Sequence, residues 1–143
     1  MKFKVNGKEY NVSFGYKPTL KANLLSRIVK NSKNIGEVSE VDESMKALED
    51  LMIFIPDMLL VGLQKHHSDE FGYDYDTNNG YDEKLDKVFD IVSTYVDEEG
   101  GDIAQLYNDL EDELENNSFL KQMLEKMMSQ ETQSMESESK KEN

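Results

Sequence analysis

The residues best suited to chemistry in this 143-residue chain lie between positions 66 and 80. His66 and His67 are followed by Asp69 and Glu70, side chains that ligate divalent metals. Neighbouring residues on a helix point about 100° apart, so these imidazoles do not converge as a pair spaced by four would. The sequence holds no other histidine and no cysteine to complete a zinc site, and a solvated helix end is the better reading. Asp74, Asp76 and Asn78 then occupy the first, third and fifth places of a calcium loop. The glycine that such a loop needs at its sixth place is Asn79, and the bidentate acid at its twelfth is Leu85. Asn/Gly turn chemistry ending at Gly80 accounts for this stretch better than a calcium site.

Neither a nucleophile elbow, a phosphate-binding loop nor a dinucleotide-binding glycine pattern occurs, and no cysteine is available for a Cys–His pair. The many carboxylates fall on helix faces as solvating charge, with no apolar setting to raise a pKa. The sequence therefore predicts no enzyme, no cofactor and no metal.

The segment Leu51–Leu63, the most apolar of the chain, organises the rest. Met45, Leu48, Met52, Ile55, Leu59 and Leu63 step by three or four, a helical period, and Leu51, Phe54, Met58 and Val61 fill much of the remaining circumference. A helix apolar nearly all round belongs in a core. It is shorter than the roughly 20 apolar residues of a membrane span and carries Asp57 at its middle. Pro56 predicts a kink or break, because it lacks an N–H and crowds the preceding turn.

Before this segment, Lys2–Val5 and Lys8–Phe14 flank Asn6-Gly7, the strongest short hairpin signal. Thr19 is placed to cap a helix running to about Lys33, with Leu20, Leu24, Leu25, Ile28 and Val29 inward and Lys21, Arg27 and Lys30 outward. Ser39 or Asp42 would cap the central helix, which runs on to about His66. Ser68–Gly80 reads as a polar loop, and Asp82 as the cap of a helix over Glu83–Glu98 that stops at Gly100-Gly101. Asp102 opens the next helix, Asn116-Asn117-Ser118 breaks it, and a short helix follows over Phe119–Met128. The fold class is α+β, mostly α: an N-terminal β-hairpin and about five helices packed around a central kinked apolar helix. Residues 1–128 form one domain, and residues 129–143 form a disordered acidic and polar tail with too little apolar content to fold.

The net charge of −14 is unevenly spread. Residues 1–35 hold eight Lys/Arg against Glu9, and the remainder carries −21. So acidic a surface disfavours nucleic acid, whose binding needs cations. The basic first third could meet the acidic part of another copy, which makes a homo-oligomer a reasonable expectation. No apolar leader begins the chain and no cysteine speaks for an oxidising compartment, so cytoplasm without membrane insertion is expected.

Two sets of residues are candidates for contact. Phe3, Val5, Tyr10, Val12 and Phe14 form one apolar face of the hairpin, which must dock on helices or on another subunit's strands, and they are the self-association candidates. Phe119, Leu120, Met123, Leu124 and Met127 lie on the last helix, and methionine-rich surfaces accept varied apolar partners. They are the candidate partner-binding surface.

The opening MKFKVNGKEY, the FGY turn and the central helix running into LQKHHSDEFGYDYDT resemble the tail assembly chaperones of long-tailed, siphovirus-type phages of Gram-positive bacteria. The later DEEGGDIAQLYNDLEDELENNSFL is similar to the same family, and the resemblance spans roughly residues 1–128. It implies a helix-rich, non-enzymatic protein of the host cytoplasm, absent from the mature virion. Its partners would be the tape-measure protein, whose long apolar helix it keeps soluble, and tail-tube subunits that it recruits. It also implies that this chain is the short form of a pair made by frameshifting. Two rival readings remain on the residues alone: a calcium- or metal-binding regulator built on the 69–82 loop, and an acidic decoy for a basic DNA-binding protein.

Overall fold

A computed structural model describes residues 1–37 and 41–129, leaving aside the side chains of residues 32–42. The chain is α+β and mostly helical, an N-terminal hairpin followed by helices. Strands β1 (Lys2–Val5) and β2 (Lys8–Asn11) precede α1 (Tyr16–Lys21), α2 (Leu24–Glu37), α3 (Val41–Leu63), α4 (Ser68–Phe71) and α5 (Tyr81–Ser93). A π-helical turn (Thr94–Glu98), α6 (Ile103–Asn116) and α7 (residues 120–129) complete it. The expected cap Ser39 and residues 130–143 of the expected tail lie outside what is described, as does the side chain of the other expected cap, Asp42, whose backbone belongs to α3.

Asn6 and Gly7 both take positive φ, 51° and 76°, as a type I′ turn demands. The register sets Phe3 opposite Tyr10 and Val5 opposite Lys8. The second strand stops at Asn11, short of the expected Phe14, because the chain leaves the ribbon to cross α3. Ser13 N–H donates to the Gly62 carbonyl at 2.9 Å. A Cβ on Gly62 would lie 2.5 Å from Val12 Cγ1, so the crossing depends on glycine.

The hairpin's apolar face is buried in this chain's own core. Phe3, Val5, Tyr10, Val12 and Phe14 pack with Leu24, Phe54, Leu59, Phe71 and Leu110. The side chains named as a self-association face are therefore core residues. A two-stranded ribbon is marginal in water, and the nearest helices supply its missing cover. Polar contacts also hold it there. Asn11 N–H donates to His67 Nε2 at 2.9 Å, Lys8 pairs with Glu70 at 2.7 Å, and Asn6 N–H donates to Glu99 Oε1 at 2.5 Å.

The helix expected from Thr19 to Lys33 is two helices. Asn23 takes φ 54° and turns the chain between α1 and α2, a conformation that asparagine tolerates. Thr19 is no cap; it lies inside α1 and is buried. Gly15 precedes the helix, and Pro18 sits in its first turn, where an N–H would have no helical partner anyway. The central helix runs unbroken past Pro56 and ends at Leu63, a turn before His66. Everything from Phe54 to Leu63 is buried, whereas Met45, Leu48, Met52 and Ile53 are exposed.

The expected loop 68–80 begins with the short helix α4, whose Phe71 reaches the core. The next helix starts at Tyr81 after Gly80, at φ 87°, so Asp82 is a first-turn residue and not the cap. Carboxylates there still suit the positive end of the helix dipole. Asp102 does cap α6, accepting from Ala104 N–H at 3.0 Å and Gln105 N–H at 3.2 Å.

Candidate functional site

Helix α7 follows the Asn116–Ser118 break, where Ser118 Oγ accepts from Leu120 N–H at 3.1 Å. Phe119 and Leu120, two of the candidate partner-binding residues, anchor it. The Phe119 ring meets Tyr16 edge to face at 5.2 Å, and Leu120 packs against the core. The other three lie outward: Met123 is 57% exposed, Met127 54%, and Leu124 is exposed with them, as is Met128. The structure thus divides the predicted set into a root and a surface. Residues four apart lie on one helical face, so Met123–Met127 and Leu124–Met128 form an apolar stripe.

A second apolar surface escaped the sequence reading. Between α3, α5, the π-helical turn and the start of α6 runs an open groove of about 230 Å³, lined by Met52, Pro56, Phe89, Val92, Val96 and Ile103 with Ser93 and Asp97. Met52 and Phe89 are exposed at its mouth. Phe89, Val92 and Val96 were legible as a helical stripe, and a stripe normally means core. The π-helical turn adds a residue to the last turn, and π insertions recur at functional sites. That insertion leaves no simple signature in the sequence.

Next to the groove, a polar cluster joins α2, α3 and α5. Asp57 is buried, Arg27 Nη2 lies 3.0 Å from its Oδ2, and the Tyr81 hydroxyl donates to its Oδ1. Arg27, expected on the outward face of its helix, is turned inward by this carboxylate and also lies over the Phe54 ring at 5.0 Å. A carboxylate in an apolar run must find such partners, and that was the available signal. Burial pushes the Tyr81 phenol up, and its hydrogen bond to Asp57 adds to the effect. Burial also raises the neighbouring Tyr73 phenol to about 12. The cluster pins the helices to one another.

Buried Gln64 ties the 68–80 segment down. Its Nε2 donates to the Phe71 carbonyl at 2.8 Å, and its Oε1 accepts from the Tyr75 hydroxyl at 3.0 Å. The candidate metal ligands around this segment are used otherwise. His67 Nε2 holds the hairpin, and Glu70 holds Lys8. Asp74 Oδ1 accepts from the Asp76 and Thr77 amides at 2.9 and 3.1 Å, bonds that draw its carboxyl below the usual range. Asp76 is drawn down by Lys21, 2.8 Å away. Among the described residues no three His, Asp or Glu side chains are placed to hold a metal ion, and no helix is long and apolar enough to cross a membrane.

The surface therefore offers two apolar strips, α7 and the groove, on a strongly acidic chain. Such strips can take apolar side chains presented by a partner helix. Comparison with known protein families, with curated proteins and with solved structures gives no match for this chain.

Proposed function

We propose that this chain is a non-enzymatic phage tail assembly chaperone that binds the tape-measure protein, keeps its apolar helix soluble and helps recruit tail-tube subunits. The resemblance of its hairpin, central helix and 97–120 segment to that family motivates the reading. The observation that carries it is the exposed stripe of Met123, Leu124, Met127 and Met128 on α7. Anchors at helical spacing are how one helix engages another, and methionine adapts to varied apolar partners. High net charge keeps a protein with such a stripe in solution. The acidic balance suits a protein partner better than nucleic acid.

The test is Met123→Asp with Met127→Asp, co-expressed with the tape-measure protein of the same phage. Both positions are more than half exposed, so circular dichroism should show an unchanged fold. The expected result is loss of co-purification and aggregation of the client. A wild-type chain that neither co-purifies with the tape-measure protein nor keeps it soluble overturns the reading. A folded variant that still binds moves the site off α7.

A further inference from the structure

We propose that the groove between α3 and α5 is a second docking site, and that it takes an amphipathic helix carrying lysine or arginine beside its apolar anchors. The inference rests on the reading of the chain as a binder of apolar helices, and it adds a separate surface and the charge of the partner. The groove has room for side chains, about 230 Å³, and Met52 and Phe89 stand exposed at its mouth.

Two features choose the partner's charge. The first is that Asp97 is the one charged side chain in the described lining, and it is exposed. Its Oδ2 accepts from Ser93 Oγ at 3.2 Å, which leaves its other oxygen to face a cation. Glu49 stands three residues before Met52 on α3, and Asp86 three before Phe89 on α5, so helical spacing continues both apolar walls into exposed carboxylates. Lys87 of α5 is engaged elsewhere, its Nζ 5.6 Å from the Phe71 ring. The second feature is Pro56, which lies inside α3 and in the groove lining. Proline has no N–H, so the Met52 carbonyl four residues back lacks its helical donor. An apolar slot with carboxylates at its rim and an acceptor at its wall suits leucine or methionine anchors flanked by Lys or Arg. A helix with acidic flanks would bring like charges against Asp97.

The test uses the intact chain and two dye-labelled synthetic helices of about 18 residues, with leucines at i, i+3, i+4 and i+7 and either lysine or glutamate elsewhere. Fluorescence anisotropy at about 0.15 M salt limits binding to the acidic surface at large. The lysine peptide should bind and the glutamate peptide should not. Met52→Gln with Phe89→Gln should weaken the lysine peptide by at least about tenfold, since two apolar anchors lose their contacts. Asp97→Lys should narrow the gap between the peptides. Equal binding of both peptides, no binding of either, or a groove variant that binds as wild type overturns the proposal. The tape-measure co-purification tests the α7 stripe by itself, because its Met123→Asp with Met127→Asp variant leaves the groove residues intact.

Discussion

From Phe54 to Leu63, α3 is buried at every position, while between Met45 and Ile53 the same helix leaves Met45, Leu48, Met52 and Ile53 in solvent. The earlier stretch carries Lys46, Glu49 and Asp50 and the later one only Asp57, yet both share one helical period. Their fates differ because of neighbours. The later stretch is joined in one core by Val12 and Phe14 from the hairpin, Leu24 from α2, Phe71 from α4, Val88 from α5 and Leu106 and Leu110 from α6. None of the four exposed side chains belongs to that core. Period shows which residues share a face of a helix, and the remainder of the chain decides which faces and turns it covers. Of the uncovered side chains, Met52 joins Pro56 in the α3 wall of the groove.

The comparison is broken most directly by truncating one residue in each half. Leu59→Ala, at a position with no exposure, should cost about 2–5 kcal/mol in chemical denaturation. Met52→Ala, 48% exposed, should cost less than about 1 kcal/mol. Similar losses at both sites would mean that the first half of α3 is covered after all.

A smaller effect is expected at the border of the two halves. Arg27→Leu should cost about 1–3 kcal/mol, less than for a fully buried pair because Arg27 is partly exposed. Combining it with Asp57→Leu should recover much of that loss, since the lone carboxylate left behind does the damage. Denaturation of the two single variants and the double variant measures the coupling. If the losses simply add, Asp57 has no need of its cation.

A pH dependence is expected from the phenols around Asp57. The Tyr73 phenol is raised from 10.0 to about 12 by burial, so the unfolded chain ionises first as pH rises. Stability fully present below pH 10.0 should therefore fall as pH climbs toward about 12. Tyr81, raised by burial and by Asp57, should act in the same direction. Alkaline melting curves of wild type and Tyr73→Phe check this, and a variant with the same slope as wild type would place the loss elsewhere.

Much of the chain was legible one residue at a time. Asn6-Gly7 announces the hairpin because few other pairs accept two positive φ angles, and Asp102 announces α6 because its carboxylate reaches the amides two and three residues on. The methionines of α7 could be found by spacing and by their place after the Asn116-Asn117 break. The split at Asn23 was not read, because the apolar period of Leu20, Leu24 and Ile28 runs straight through it. Asparagine hinted at a left-handed turn there but did not require one.

What the sequence determined by itself was local: turn chemistry, caps and helical period. Each depends on residues within a few positions of one another, where backbone geometry and side-chain reach are fixed in advance. The tertiary structure alone decided that the hairpin's apolar face is covered by its own helices, that Arg27 turns inward to Asp57, and that Met52, Phe89 and Val96 share a groove. Those outcomes join segments tens of residues apart, and they depend on which surfaces are left once the largest apolar area has been buried.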